Sequence, residues 1–320
     1  MDPLADTLRR LREAFSAGRT RSPEFRAAQL KGLGRFLQEN KQLLQEALAQ
    51  DLHKSVFEAE TSELLMCQNE VDLALKNLHN WMKDEPVAKN LFTQLDSAFI
   101  QKEPFGLVLI IAPWNYPMNL PLVSLVGALA TGNCVVLKPS ELSKSTEKVL
   151  AEVLPQYLDQ DPRRSPSLGR VRRLRGLLGC GRVAIGGQSN RTSAPSVRGP
   201  RPARPREQGP PSSFDDEPPP GLFCRPQVVT QMLHQTSSGI VGGNQGFIHL
   251  TLSTLLLGGV DDGIGRYHGK FSFDTFSHHR ASLLSSSGLE KLNELHYPPY
   301  TAHSQKLITW VLGSHRCALL

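Results

Sequence analysis

Apolar residues recur at helical spacing between Phe25 and Trp81. Ser22 and Pro23 open this region as a helix N-cap and a proline at the first helical position. An amphipathic run follows through Phe25, Leu30, Leu33, Phe36, Leu37, Leu43, Leu44 and Leu48. A second helical run carries Leu64, Leu65, Val71, Leu75, Leu78 and Trp81. Residues 91–103 are mixed in character and favour an extended hairpin.

Further along, the apolar pattern changes from periodic to continuous. Residues 107–111 and 134–137 are unbroken aliphatic runs, which is typical of strands buried on both faces of a sheet. Residues 117–130 and 141–154 have helical patterns, and Gly132-Asn133 ends the first of them. The order strand, helix, strand, helix predicts a right-handed βαβ unit in a parallel sheet. We therefore expect an α/β fold.

A basic, proline-rich segment interrupts the second half of the chain. Residues 161–210 hold twelve arginines and no lysine against two acidic residues, whereas the whole chain has a net charge of +6. Residues 191–225 have no periodic apolar pattern, so we predict a disordered insert there. An arginine-rich tract can contact nucleic-acid phosphates. Without interleaved aromatic residues a solvated or disordered tract is the better interpretation, and we expect no nucleic-acid partner.

Length and cysteine usage narrow the class of protein. A chain of 320 residues suggests two domains, and a hydrophobic fraction of 39% is typical of globular proteins. Five cysteines without regular spacing indicate a reducing compartment. No signal peptide is visible, and the longest apolar run, at residues 107–112, is far too short to span a membrane. We expect a cytoplasmic protein.

Polar residues follow both predicted strands, at the edge of a parallel sheet where ligands bind. Asn115 comes after the first strand and Lys138 directly after the second. An asparagine amide there could stabilise an oxyanion, and a lysine could bind a ribose hydroxyl or a phosphate. The alternatives are a turn-forming asparagine and a solvated lysine. Spacing alone leaves both interpretations open.

Particular runs of residues identify a family. They are Pro104-Phe105-Gly106, Ile111-Ala112-Pro113-Trp114-Asn115-Tyr116-Pro117 and Gly132-Asn133-Cys134-Val135-Val136-Leu137-Lys138-Pro139-Ser140-Glu141. In this order they resemble the aldehyde dehydrogenase superfamily, and the sequence looks like its class-3, B-type branch. The resemblance returns at Gly265-Arg266-Tyr267-His268-Gly269-Lys270-Phe271 and Phe276-Ser277-His278-His279-Arg280.

The resemblance implies a Rossmann-like parallel-sheet fold, an aldehyde substrate and NAD or NADP as the cofactor. In the family a cysteine thiolate attacks the aldehyde, a hydride passes to the nicotinamide, and a glutamate-activated water hydrolyses the thioester. The resemblance further implies that Asn115 steadies the oxyanion. Trp114, Lys138 and Glu141 would belong to the cofactor site, with Lys138 at the adenosine ribose.

The resemblance is incomplete inside the chain. Residues 1–160 match as N-terminal helices and part of the NAD(P)-binding domain, 161–190 as a fragment of the catalytic domain, and 226–320 as a C-terminal remnant. Between 160 and 161 the family would carry the rest of the cofactor domain, the glutamate base motif and the cysteine nucleophile loop. The motif that holds the nicotinamide ribose is missing where 191–225 now stands. The chain therefore resembles an internally truncated member.

No remaining cysteine has the context of the family's nucleophile. Cys134 lies in a predicted buried strand, Cys180 in an apolar run, and Cys67 on the apolar face of a helix. A reactive thiolate needs a partly exposed, electropositive site. Without it covalent catalysis is lost, so we predict a chain that is severely impaired or inactive.

The last four residues, Cys317-Ala318-Leu319-Leu320, form a C-a-a-X box. A terminal leucine favours geranylgeranylation of Cys317, and one lipid chain gives marginal membrane anchoring. The alternative is an accidental cysteine at this position. Eight of the ten histidines follow residue 230 but lack the spacing of metal ligands, so we expect no metal site.

A second hypothesis assigns no catalysis to the chain. The regions 91–103 and 271–284 resemble dimer contacts of the family and are retained. The chain would then be a dimerising, membrane-tethered pseudoenzyme, as a homodimer or as a heterodimer with a full-length family subunit.

Overall fold

The computed structural model describes residues 3–89, 93–158, 168–170, 226–235, 240–244, 252, 255, 258, 265–285, 297–299 and 301–313. Its helices are α1 (Pro3–Ser16), α2 (Pro23–Glu39), α3 (Lys41–Leu52), α4 (Val56–Ala59), α5 (Leu65–Trp81), α6 (Asn119–Thr131), α7 (Lys144–Glu152), α8 (Pro226–Gln235), α9 (Lys270–Thr275) and α10 (Ala302–Gly313). A π-helical turn at Glu60–Leu64 and a 3-10 turn at Leu154–Gln156 complete the helical elements described. The strands are β1 (Glu85–Pro86), β2 (Ser97–Pro104), β3 (Leu107–Ile111), β4 (Cys134–Lys138), β5 (Leu168–Arg170) and β6 (Ser277–Leu284). The predicted insert 191–225 lies outside the described residues.

Helix α2 begins as the sequence predicts, because the Ser22 side chain accepts a hydrogen bond from the Phe25 N–H at 3.2 Å. The first amphipathic run is two helices, however, and not one continuous helix. Asn40 separates α2 from α3, and its side-chain amide donates to the Phe36 carbonyl and to the Tyr157 hydroxyl at 3.0 and 2.9 Å. The second run forms α5, as predicted.

The predicted βαβ unit is present. Strands β3 and β4 pair in parallel from Leu107 opposite Cys134 to Ile111 opposite Lys138, with α6 between them in the chain. Gly132 ends α6 with φ of 90°, a left-handed conformation that favours glycine. Strand β5 pairs in parallel with the other side of β4, so the order is β3-β4-β5. The α/β fold class is confirmed.

Strands β3 and β4 differ in burial, and one prediction is wrong here. Residues Cys134 to Leu137 of β4 are all buried, as the apolar run predicted. In β3 only Ile110 is buried, and Ile111 is 42% exposed. Within the described residues β3 pairs with β4 alone, so its other edge is not covered as a central strand would be.

The prediction of a hairpin over residues 91–103 is also wrong. Strand β2 occupies the second part of that range and pairs antiparallel with β1 before it and with β6 far along the chain. The β2–β6 register runs over eight residue pairs, from Ser97 opposite Leu284 to Pro104 opposite Ser277. The two regions expected to contact a partner therefore pair with each other within this chain.

The core joins the helices of the first 158 residues to the piece at 265–285. Every residue of α6 is buried, and its apolar sequence accounts for this. Phe273 and Phe276 of the C-terminal piece belong to the same apolar cluster. A Cβ added to Gly127 would lie 2.5 Å from the Ser272 Cβ, so a glycine is required where α9 meets α6.

A buried polar contact fastens this piece to α5. The Glu70 carboxylate, 1% exposed, accepts a hydrogen bond from the Gly269 N–H at 2.6 Å, and its other oxygen lies 2.7 Å from His268 Nδ1. The His268 backbone N–H donates to the Ser272 hydroxyl at 2.7 Å. Burial raises the pKa of the neighbouring Tyr267 to about 12, and Glu70 adds to that rise. The C-terminal piece is therefore held by directed polar contacts as well as by its phenylalanines.

Among the described residues, no helix is both long and apolar enough to cross a membrane. Helix α1 was not predicted, although Leu4, Leu8, Leu11 and Phe15 follow helical spacing. Leu11 is fully buried and packs with Cys134 and Val136 of β4. Helix α1 thus covers one face of the parallel sheet.

Candidate functional site at the carboxyl edge of the parallel sheet

The loops that follow β3 and β4 lie side by side. The Ala112 N–H donates to the Lys138 carbonyl at 2.9 Å, which continues the parallel pairing past the end of β3. The Ser143 hydroxyl donates to the Trp114 carbonyl at 3.2 Å, which ties the second loop to the first. The structure therefore brings the predicted residues to one edge of the sheet, as expected for parallel neighbouring strands.

Lys138 and Glu141 form an ion pair at this edge. The Lys138 ammonium donates to the Glu141 carboxylate at 2.7 Å, and the two side chains are 17% and 71% exposed. The pair offers ammonium donors and carboxylate acceptors close together in contact with solvent. A vicinal diol such as that of a ribose needs both kinds of partner.

The segment between β3 and α6 carries the other predicted residues. Trp114 is 52% exposed, and Asn115 beside it is half-buried. The next residue, Tyr116, has the Lys54 ammonium 4.2 Å from its ring centroid, a cation–π contact. The segment is thus fixed on both sides of Asn115, by Ser143 at Trp114 and by Lys54 at Tyr116.

Glu63 occupies the N-terminus of α6. Its carboxylate has no exposed surface and accepts hydrogen bonds from the Met118 and Asn119 N–H groups, both at 2.9 Å. Its other oxygen accepts from the Lys54 ammonium at 2.5 Å. Burial raises the pKa of the Glu63 carboxyl, whereas Lys54 and the two backbone donors act to lower it. The positive end of the α6 dipole is therefore already paired with an anion from this chain.

Asp51 occupies the N-terminus of α7 in the same manner. Its two carboxylate oxygens accept hydrogen bonds from the Ser145 and Thr146 N–H groups at 3.0 and 2.8 Å. Both helices that follow the strands of the described βαβ unit thus begin at a carboxylate from the N-terminal helical region.

The cysteines of the described residues lie in the core, as predicted. Cys67 and Cys134 are reduced thiols without exposed surface. Burial raises the pKa of the Cys67 thiol well above its ordinary value, and the nearby carboxylates of Glu63 and Glu70 raise it further. A neutral, enclosed thiol cannot reach a carbonyl substrate. Cys180, Cys224 and Cys317 lie outside the described residues.

A dinucleotide cofactor would find unequal support from this set of residues. The Lys138–Glu141 pair fits a ribose, because it supplies a donor and an acceptor near solvent. The helix N-termini that usually receive a pyrophosphate in parallel-sheet folds are filled by Glu63 and Asp51. Among the described residues, the pair therefore suits a ribose diol, whereas these two helix N-termini have carboxylates where a pyrophosphate would bind.

Sequence reasoning missed Asp51, Lys54 and Glu63. Each side chain acts on a segment distant in the chain, and the two hydrogen bonds of Glu63 to α6 span 55 and 56 positions. No local motif encodes such a contact. The one available signal is an acidic or basic residue within a largely apolar helical region, which suggests a buried polar pair.

Comparison with known proteins gives concordant results. The model of the aldehyde dehydrogenase family matches residues 4–159. Aldehyde dehydrogenase family 3 member B2 of Mus musculus is 46% identical, with 99% of this chain and 97% of that protein covered. Member B1 of Homo sapiens is also 46% identical, with 99% of each chain covered. The substrate-bound state of Staphylococcus aureus AldH has a TM-score of 0.74 at 20% identity and covers 97% of this chain and 100% of that one, which is a likeness of fold.

The alignments also show that this chain is shorter than these relatives. Each extends over 464 aligned residues, which exceeds the 320 residues of this chain by 144. At least that many positions of the relatives have no counterpart here, in agreement with the family motifs that the sequence lacks. Identity of 46% across nearly all of both chains leaves one assignment: the chain belongs to the aldehyde dehydrogenase family, in its class-3, B-type branch, as an internally shortened member.

Proposed function

We propose that this chain keeps the adenosine side of the family's NAD(P) site and does not oxidise aldehydes by itself. The observation that carries the proposal is that the chain keeps the polar residues at the carboxyl edge of the parallel sheet but lacks the catalytic motifs of the family. Trp114, Asn115, Lys138 and Glu141 are present at one edge, whereas the nucleophile loop and the base motif are absent from the sequence.

The missing chemistry cannot be supplied by the described residues. The family reaction starts with a thiolate that adds to the aldehyde carbonyl, and an oxyanion donor such as Asn115 only stabilises the charge that this addition creates. Cys67 and Cys134 are enclosed in the core, so neither meets an aldehyde at Asn115. An oxyanion donor without a nucleophile leaves the substrate unchanged.

The test is aldehyde-dependent formation of NADH and NADPH by the purified chain, with medium-chain and long-chain aldehydes. We expect no turnover from a preparation whose circular dichroism and cooperative unfolding show that it is folded. A full-length class-3 relative assayed in parallel provides the positive control.

Turnover that a thiol-specific alkylating agent abolishes would contradict the proposal, because it would require a functioning nucleophile. Cys180→Ser and Cys224→Ser variants would then identify the thiol. Cys134→Ser is the matched control, because Cys134 is enclosed in β4.

A second candidate function is pairing with a full-length subunit of the family, and the β6 edge favours it. Strand β6 lies at one edge of the described sheet β1-β2-β6, so one row of its backbone groups has no strand beside it there. Leu283 and Leu284 at its end are 54% and 61% exposed. An exposed edge strand with apolar side chains at its end is suited to pairing with another chain.

Co-expression of the tagged chain with a full-length class-3 relative tests this pairing. We expect co-purification, and we expect Leu283→Lys with Leu284→Lys to abolish it. Leu142→Lys is the matched control, since Leu142 is 68% exposed but lies in the loop after β4. Equal loss in the control, or a chain that stays monomeric, would contradict the pairing.

We also propose that Cys317 is geranylgeranylated and adds weak membrane affinity. The C-a-a-X box at Cys317-Ala318-Leu319-Leu320 supports this assignment. Incubation with the transferase and its lipid donor should add the mass of one geranylgeranyl group. The Cys317→Ser variant should lose this addition and Cys224→Ser should keep it.

A further inference from the structure

We infer that the C-terminal piece, residues 265–285, is exchanged between two copies of this chain, so that each copy receives the piece of the other. The receiving surface lies on the body, residues 3–158, and is formed by α5, α6 and β2. The pairing with a full-length subunit proposed above uses the outer edge of β6, whereas exchange uses the edge that faces β2. The inference is therefore independent of that pairing and of the proposed loss of turnover.

The receiving surface encloses two phenylalanines of the C-terminal piece. Phe273 is fully buried, Phe276 is 4% exposed, and the ring centroids of Phe273 and Trp81 lie 5.7 Å apart. The Asn133 side chain donates a hydrogen bond to the Phe276 carbonyl at 3.1 Å. Buried aromatic anchors together with directed hydrogen bonds are the usual basis of a specific docking surface.

The charges of the two surfaces are complementary. The C-terminal piece holds three basic residues and one acidic residue, so its net charge is +2 with neutral histidines. Three carboxylates of the body accept hydrogen bonds from the piece, namely Glu70 from the Gly269 N–H at 2.6 Å, Glu85 from Lys270 at 3.4 Å and Glu103 from Arg280 at 2.8 Å. Lys102 of the body in turn lies 3.8 Å from Asp274, the acidic residue of the piece. The body therefore recognises this piece by charge as well as by its phenylalanines, whichever copy supplies it.

The connection between the body and the C-terminal piece is long enough to reach a second copy. Strand β5 pairs with β4 of the body, and 94 residues, 171–264, lie between β5 and the piece. Such a length spans roughly 300 Å when fully extended, whereas a body of this size has a radius of gyration of about 15 Å. Helix α8, which is described within this stretch, has no buried residue.

The exchanged dimer keeps every contact that joins the body and the C-terminal piece of the closed chain. Exchange therefore loses none of the hydrogen bonds, ion pairs or apolar contacts between them. The balance between closed monomer and exchanged dimer is then set by protein concentration, as in any association.

The first test is a disulfide bond between two copies. Ala98 on β2 is opposite Leu283 on β6 in the register, so cysteines at these two places meet where this pairing forms. Differently tagged Ala98→Cys and Leu283→Cys chains are co-expressed, purified and oxidised. Both also carry substitutions of the cysteines outside the core, Cys180→Ser, Cys224→Ser and Cys317→Ser. We expect a covalent dimer that contains both tags.

Leu142→Cys replaces Ala98→Cys in the matched control, because Leu142 is 68% exposed but lies in the loop after β4. We expect about tenfold less mixed covalent dimer from this control, since its cysteines meet by collision alone. One chain that carries both Ala98→Cys and Leu283→Cys should close a disulfide within itself, which verifies the register.

The second test reverses the charges of one ion pair. Glu103→Arg and Arg280→Glu each bring like charges together in a closed chain. When the two variants are co-expressed, exchange between them restores opposite charges on both bodies. We expect at least about threefold more mixed dimer, measured by sequential purification on the two tags, than from either variant with the parent chain.

Three results would overturn the inference. Equal yields of mixed covalent dimer from Ala98→Cys and from Leu142→Cys would assign the disulfide to collision. A doubly substituted chain that closes its own disulfide while the separate chains give no mixed dimer would show that the piece stays with its own body. A doubly substituted chain that fails to close would show that β6 does not pair with β2 as exchange requires.

Discussion

Two lysine–glutamate pairs in this molecule have similar nitrogen–oxygen distances and opposite surroundings. Lys54 and Glu63 approach to 2.5 Å with side chains 8% and 0% exposed, whereas Lys138 and Glu141 approach to 2.7 Å with side chains 17% and 71% exposed. The buried carboxylate also accepts two backbone hydrogen bonds, and the exposed one is open to solvent. Surroundings rather than residue type decide that the first pair holds the fold and the second can meet a ligand.

The sharpest test of this comparison is removal of each carboxylate. Glu63→Ala leaves Lys54 without its anion and the first turn of α6 without an acceptor, so we expect the free energy of unfolding to fall by about 3–5 kcal/mol. Glu141→Ala removes an exposed partner and should change it by about 0.5 kcal/mol or less. Urea unfolding followed by circular dichroism measures both, and equal losses in the two variants would refute the distinction.

Two histidines test whether buried polar contacts also stabilise the C-terminal piece, residues 265–285, more than exposed ones do. His268 lies against buried Glu70 with its side chain 9% exposed, and His279 lies 3.9 Å from Asp274 with its side chain 43% exposed. We expect His268→Ala to lower the free energy of unfolding by about 1–3 kcal/mol, because a buried acceptor loses its neighbour. His279→Ala should change it by about 0.5 kcal/mol or less.

Urea unfolding of the two histidine variants at neutral pH measures this difference. A His279 effect as large as that of His268 would mean that β6 depends on its exposed polar contacts, and the comparison would fail for this part of the molecule.

The smallest expected change in the free energy of unfolding is at the ion pair of Lys102 and Glu85, in which one side chain is buried and the other is exposed. The Lys102 side chain is 2% exposed and lies 2.7 Å from the Glu85 carboxylate, which is 43% exposed. The hydrogen bond from Lys102 lowers the pKa of Glu85, so its contribution is present at neutral pH and is lost as pH falls through the lowered pKa. Glu85→Gln should reduce the free energy of unfolding by about 1 kcal/mol or less at pH 7, and less still at pH 3.

Urea titrations of the parent and Glu85→Gln chains at the two pH values measure this contribution. A difference between them that stays constant with pH would assign the effect of the variant to lost packing rather than to charge.

The sequence predicts those parts of the fold that depend on local signals. Ser22 caps α2, Gly132 ends α6, and the two apolar runs form the parallel strands, because each feature involves neighbours within a few positions. Asn40 is different, because the break it makes involves the Tyr157 hydroxyl, 117 positions away. Periodicity contains no information about such a partner.

In the candidate site, too, the sequence predicts the residues that belong to local motifs and misses those that come from distant parts of the chain. The family motifs place Trp114, Lys138 and Glu141 at the sheet edge, and the structure brings them there. Asp51 and Glu63 accept hydrogen bonds at the N-termini of α7 and α6 from another part of the chain, and no sequence motif predicts these contacts. What the edge can bind depends on both sets, and the motifs alone do not reveal that carboxylates occupy the two helix N-termini.

The long reach of the β2–β6 ladder has a consequence for the order of events during synthesis. Glu103 on β2 meets Arg280 on β6 across 177 positions of chain. At a translation rate of about 5–20 residues per second, β2 is synthesised roughly 9 to 35 s before β6. Throughout that interval the edge of β2 that later pairs with β6 has no native partner, which makes it a natural site for a chaperone during biosynthesis.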